Sequence, residues 1–250
     1  MPQFLINKSS IKDNKATVTG SDAKHISQVL RLKKGDWVML TDGRGNRWKA
    51  EITVIGTKHV EAKLSANVPT NQNTNADLTL AQAIIKHDRF EWIIQKAVEL
   101  GCSKIIPFTS ERTIPKFGSS SKLVRWQKIA LEAAKQCGTS IRPEVFAPLH
   151  FSVLCKGLPH YDQKILFFEG EDKNDLNTSA LAHPSTSLGA SLRTIIIIGP
   201  EGGFASHEVE YAKKADAVSL SLGPLILRVE TAAIAGITLV QQKLGYFDKI

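Results

Sequence analysis

The chain has 250 residues, 42% of them hydrophobic, and a formal net charge of +8. That length allows one large domain or two smaller ones, and that composition supports a packed core. No apolar run reaches the roughly 18 residues of a membrane span, MPQFLINKSS lacks the apolar stretch of a signal peptide, and Cys102, Cys137 and Cys155 are too far apart for a zinc site or a disulfide frame, so a cytoplasmic protein with no metal and no membrane contact is expected.

The charge is unevenly spread. Residues 1–72 hold 12 Lys/Arg against 6 Asp/Glu, while the remaining residues hold 20 against 18. A basic segment joined to a near-neutral one suggests a polyanion-binding module on a separate body; ordinary solubilising charge is the alternative.

The first segment reads as short strands with turn signals: 4–6, 16–19, 37–41, 47–55 and 59–65. Asp42-Gly43-Arg44-Gly45-Asn46 supplies residues that tolerate positive φ, as a hairpin needs. Asp22 is expected to cap a short helix running to Leu30. Frequent short strands suggest a small barrel. Residues 67–76, polar and without periodicity, are the linker candidate.

Strand and helix then alternate, which predicts a mainly parallel α/β sheet. Strands are expected at 78–85, 104–108, 164–168, 194–198 and 217–222. Asp88 is expected to cap a helix from Arg89 to Leu100 that Gly101 closes. Phe90, Ile93, Ile94, Ala97 and Val98 fall on one face of it. Further helices are expected at 122–136, stopped by Gly138, and at 206–214. The last, 230–244, is small and apolar on nearly every side, as a fully buried helix or one set against a second subunit would be. Residues 171–192 read as a loose surface connection.

Ile195 to Glu230 is the most informative stretch. A four-isoleucine run ends in Gly199-Pro200-Glu201-Gly202-Gly203, and a second apolar run ends in Gly223-Pro224. Two Gly-Pro turns after buried strands let backbone approach a ligand closely, in the crevice where open α/β sheets place one. Neither loop is a P-loop, because GxxxxGK[ST] is absent. Neither is the GxGxxG dinucleotide fingerprint, which belongs after the first strand of such a unit.

With its neighbours this stretch resembles the RsmE family of bacterial ribosomal RNA methyltransferases, within the SPOUT superfamily. The resemblance rests on IGPEGGF at 198–204 with Glu208 downstream, LGPLILRVETA at 222–232, RFEWIIQKAVELG at 89–101, EAAKQCG at 132–138 and HISQVLRLKKGD at 25–36. It implies an N-terminal PUA-like RNA-binding β-barrel over 1–70 and a SPOUT-type α/β domain over 71–250. A trefoil knot would lie in roughly 165–250. The implied donor is S-adenosylmethionine and the implied product is 3-methyluridine in 16S rRNA of the 30S subunit, conventionally at position 1498, made by a homodimer. A catalytically silent RNA-binding or ribosome-assembly factor, and a SPOUT methyltransferase with another RNA target, are the competing readings.

The resemblance also implies roles. Donor contacts fall to Phe168, Gly170, Ile198, Gly199, Pro200, Gly202, Gly203, Leu222, Gly223, Leu225, Ile226 and Leu227. Uracil N3 is a poor nucleophile until it loses its proton, so a cation that stabilises the anion, or a base, is needed. Arg228 is the candidate cation, with an ion pair to Glu230 as its structural alternative. Glu201 could orient or deprotonate, and Glu230 and Thr231 could cap the last helix while facing the site. RNA contacts fall to His25, Arg31, Lys33, Arg44 and Arg47, while Lys86, Arg89 and Arg142 could contact RNA phosphate or shape the site. Cys137 is read as packing rather than as a nucleophile. Leu225, Val229, Thr139 and Gln3 depart from the family pattern, three of them at places that usually hold arginine.

Overall fold

The structure is a computed structural model that describes residues 1–69, 76–114, 120–171 and 192–247. Most of the expected linker at 67–76 and of the loose connection at 171–192 lies outside the described residues. By internal packing the chain forms two units, Met1–Asn71 with Ala134–Arg142, and Gln72–Ala133 with Pro143–Ile250.

The first unit is a six-stranded sheet in the order β1-β4-β5-β6-β3-β2. Its strands are β1 (Gln3–Leu5), β2 (Ile11–Lys12), β3 (Lys15–Thr19), β4 (Trp37–Thr41), β5 (Arg47–Ile55) and β6 (His59–Asn67). Neighbours are antiparallel apart from β1 on β4. Alternate residues point inward, and Val38, Leu40, Ala50, Ile52, Val60 and Ala62 are buried there. The turn at 42–46 joins β4 to β5, with Gly43 at φ 72° and Gly45 at φ 101°. A second hairpin, β2–β3, turns on Asp13 and Asn14, both with positive φ; of its strands only β3 is expected from the sequence, because β2 has just two residues. Asp22 caps nothing. Helix α1 (Gly20–Lys24) begins after Thr19 and runs into a π turn at His25–Val29, and the Asp22 carboxylate instead accepts a 2.7 Å hydrogen bond from Lys135 Nζ. The segment 134–142 is tied to the same sheet, because Thr41 Oγ1 donates to Ser140 O (3.0 Å) and Arg142 N to Gly43 O (2.9 Å).

The second unit is a seven-stranded, wholly parallel sheet. Its elements are β7 (Ala76–Ala83), α2 (His87–Glu99), β8 (Lys104–Thr109), α3 (Ser120–Cys137), β9 (Glu144–Val145), β10 (Leu149–His150), α4 (Phe151–Gly157), β11 (Gln163–Phe167), β12 (Leu192–Ile198), α5 (Ser206–Lys213), β13 (Val218–Leu220) and α6 (Val229–Lys243). The order is β10-β8-β7-β12-β11-β13, with β9 also on β8. Leu78, Leu80, Ile195, Ile196 and Ile197 are fully buried, which is why the central strands are continuous apolar runs rather than alternating ones.

Helix α2 buries the expected face, Phe90, Ile93, Ile94, Ala97 and Val98, and Gly101 ends it at φ 90°. Asp88 does not cap it. Lys86 is the N-cap residue, and Asp88 sits in the first turn, where the helix dipole favours a carboxylate without a specific hydrogen bond. Helix α6 is less enclosed than its composition suggests. Ala233, Gly236, Ile237 and Val240 are buried, but Thr231 and Gln242 are exposed and Leu239 is 37% exposed.

Gly236 lies on the buried side of α6, where an added Cβ would stand 2.7 Å from the Phe167 ring. Gly→Ala in a helix ordinarily stabilises by about 1 kcal/mol, whereas forcing a methyl into a packed core costs about 1–3 kcal/mol. The second effect wins, so Gly236→Ala lowers stability by up to about 2 kcal/mol in a urea titration. A stabilised variant would show that Phe167 yields freely.

Candidate functional site

Parallel strands put all their carboxyl ends on one edge. Phe167 pairs with Ile198 on one side and with Leu220 on the other, so β11, β12 and β13 end at the same level. The three loops that follow, 168–171, 199–205 and 221–228, surround a cavity of about 360 Å³. Among the residues expected to hold a donor, Phe168, Ile198, Gly199, Pro200, Gly203, Leu222, Gly223, Leu225, Ile226 and Leu227 line it. Gly170 and Gly202 do not. Gly170 makes room for the Phe168 ring, 2.7 Å from its would-be Cβ. Gly202 offers its carbonyl to Arg112 Nη1 at 3.0 Å. Leu225 and Ile226 are 76% and 87% exposed, so they form the cavity's rim.

Two glycines are required by geometry. Gly203 has φ 68° and its would-be Cβ falls on the Glu169 carboxylate; Gly223 has φ 117°. Other residue types rarely adopt such angles. The Gly223 turn is closed from within: Gly223 N donates to Ser221 Oγ (3.3 Å), whose hydroxyl reaches Gly223 O (3.1 Å).

The charged groups are arranged differently from the sequence reading. Arg228 lines the cavity, is exposed and forms the N-cap position of α6. No side chain caps that helix, so neither Glu230 nor Thr231 plays the capping part. Among the described residues Arg228 makes no ion pair, and the alternative partner, Glu230, is taken by another residue. Arg89, one of the residues expected to contact RNA phosphate or shape the site, lines the cavity. Its Nη2 lies 2.8 Å from Glu201 Oε1 and its Nε 3.5 Å from Glu230 Oε1. Glu230 does not itself line the cavity, and its Oε2 is buried without a hydrogen-bond partner. Arg112 and Ser221 were missed, and nothing local marks Arg112; Glu169 lies between the expected contacts Phe168 and Gly170.

Glu208 is structural. Its carboxylate is buried and accepts hydrogen bonds from Ala205 N and Glu111 N, both at 3.0 Å, fixing the start of α5 to the loop after β8. Burial, with the Glu208 charge beside it, pushes the Cys155 thiol up to about 12, and burial likewise raises Cys102. Cys137 is exposed at the end of α3, which corrects its reading as a packing residue. No group of three or more metal-ligating side chains occurs among the described residues.

The expected RNA contacts fall in different places. Arg31, Lys33 and Arg44 are exposed in the first unit, as is Arg142, while His25 stands edge-on to Phe4. Arg47 is half-buried, with an Nε that has no hydrogen-bond partner. Lys86 is exposed at the start of α2. Two departures from the family pattern meet each other, since Gln3 Nε2 donates to Thr139 O at 2.7 Å.

Residues 71–241 match the family model for an RNA methyltransferase domain, and residues 18–65 the model for an RNA methyltransferase PUA domain. The chain is 31% identical to ribosomal RNA small subunit methyltransferase E of Bacillus subtilis, over 90% of this chain and 88% of that one. Its identity to the protein of the same name from Mesomycoplasma hyopneumoniae is 33%, over 94% and 96%. Among solved structures, ribosomal RNA small subunit methyltransferase E from Neisseria gonorrhoeae bound to S-adenosyl methionine superposes with a TM-score of 0.83, at 30% identity and 97% coverage of each chain.

Because both Glu208 oxygens serve backbone N–H groups, Glu208→Ala leaves two donors without a partner. Such charged hydrogen bonds contribute about 1.5–3 kcal/mol each when buried, and Glu208→Ala is expected to cost at least about 2 kcal/mol in denaturant unfolding. A loss below about 0.5 kcal/mol would remove the carboxylate from the scaffold.

Proposed function

The chain belongs to the ribosomal RNA small subunit methyltransferase E family, and from that premise we propose that it methylates 16S rRNA of the 30S subunit with S-adenosylmethionine as donor. The product in this reading is 3-methyluridine at the decoding region, position 1498. The observation that carries it is the three-loop cavity at the carboxyl ends of β11, β12 and β13, with Arg228 among its lining residues.

The residues present fit the donor. The cavity volume suits a ligand of that size, Gly199, Gly203 and Gly223 bring backbone close, Ile198, Leu222 and Leu227 are apolar, and Glu169 offers negative charge to a cationic ligand. S-adenosylmethionine, when bound, supplies a methyl group activated by its sulfonium. The chain's own part is to align the base and manage one proton. Arg228 stabilises the uracil anion through O2 or O4, and Glu201, which lines the cavity, orients the reacting groups.

In this reading residues 1–70 form a PUA-like barrel that docks RNA through His25, Arg31, Lys33, Arg44 and Arg47, with Arg142 beside them. Residues 71–250 form the methyltransferase domain, whose stretch from about 165 to 250 threads into a trefoil knot. The exposed side of α6 and the rim residues Leu225 and Ile226 support a homodimer that covers them. The enzyme acts in the cytoplasm, where ribosomal subunits are.

Labelled S-adenosylmethionine incubated with 30S subunits lacking the modification tests the reading, with mass spectrometry of the product nucleoside. 3-Methyluridine is the expected product; donor binding without transfer would point to another RNA target, and no donor binding to a silent RNA-binding factor. Arg228→Ala should lower kcat by about 10²-fold or more, the usual loss of an oxyanion-stabilising group, with donor affinity changed by less than about threefold. Unchanged kcat would remove Arg228 from the chemistry.

A further inference from the structure

Arg89 carries one guanidinium and meets two carboxylates from distant parts of the chain. Glu201 sits in the loop after β12, and Glu230 in the first turn of α6. The guanidinium has separate N–H groups for each, Nη2 toward Glu201 at 2.8 Å and Nε toward Glu230 at 3.5 Å. Two like charges facing the same group repel unless that group is a cation standing between them. The Glu230 oxygen that Arg89 does not reach is buried and unpartnered, so no other group among the described residues holds that carboxylate. The side chain of Arg89 is 39% exposed, which alone would fit a phosphate contact. Its engagement on two sides argues against that use, since a phosphate would have to displace carboxylates already in place.

We propose that Arg89 is a positioning residue of the methyltransferase site: it fixes Glu201 and Glu230 relative to each other, and through them the 199–205 loop to the start of α6. The inference rests on the functional reading above. Arginine suits the task because its planar fork addresses two acceptors from one rigid group, which a lysine ammonium does less well.

The test is single-turnover methyl transfer to 30S subunits by Arg89→Met, Arg89→Lys, Glu201→Gln and the double variant Arg89→Met/Glu201→Gln, with KM for the subunit measured over a range of salt. Arg89→Met should slow transfer by about 10–100-fold, the scale of a misplaced reacting geometry, with KM within about threefold. Arg89→Lys should recover part of the rate. In the double variant the two losses should overlap, because partners in one ion pair are not additive. A normal rate with a raised KM, and a salt slope reduced by about one, would overturn the proposal in favour of a phosphate contact. Fully additive losses would also overturn it. If Arg89→Met does not fold, the same cycle is run with Arg89→Lys, whose additivity with Glu201→Gln decides. A wild-type protein that transfers nothing overturns the functional reading itself; an active wild type with an indifferent Arg89 overturns only the role of Arg89.

Discussion

The parallel pairing of β11 between β12 and β13 is the constraint on which the site depends. Parallel strands run the same way, so their carboxyl ends share an edge. The pairing of Phe167 with both Ile198 and Leu220 makes three loops leave the sheet at one level. The cavity follows from that register. A slip of one residue would turn the inward face of a strand outward and carry its loop out of line. Burial fixes the register, since Ile195, Ile196 and Ile197 have no accessible surface. The isoleucine run is thus what places the loop that bears Glu201.

The loops themselves are held from outside. The 199–205 loop is short, rich in glycine and free to take many conformations until something restrains it. Three restraints come from earlier in the chain: Arg89 on the Glu201 side chain, Arg112 on the Gly202 carbonyl, and Glu208, next to the loop, accepting Glu111 N. Two of these contacts come from the single loop after β8. The edge that bears the cavity is therefore assembled from the β7–β8 half of the sheet as well as from the β11–β13 half, although only the second half carries the Gly-Pro turns.

Much of this was legible before any coordinates. Strand and helix order, the apolar face of α2 and the glycine stops at Gly101 and Gly138 come from periodicity and positive φ, which are local properties. Two of the loops around the cavity come from Gly-Pro turns after buried strands, also local. Caps were not legible. Asp22 and Asp88 have the right residue type and a nearby helix, yet the true N-cap positions are Thr19 and Lys86, because tertiary partners such as Lys135 compete for the carboxylate. Nor could composition reveal that α6 has an exposed side, since alanine, glycine and threonine leave little polarity difference between faces.

The structural alternative for Arg228, an ion pair with Glu230, shows where local reasoning fails. Two opposite charges two residues apart invite an ion pair. On a helix, however, neighbours face each other at spacings of three and four, not two. Arg228 is moreover not in the helix: it is the extended N-cap residue, with φ −63° and ψ 151°, so its side chain and that of Glu230 leave the backbone along different courses. Glu230 then needs a cation from elsewhere, and α2, which packs on α6, supplies Arg89. That pairing leaves Arg228 without a carboxylate among the described residues. Because Arg89 takes Glu230, that carboxylate does not offset the charge of Arg228 at the cavity.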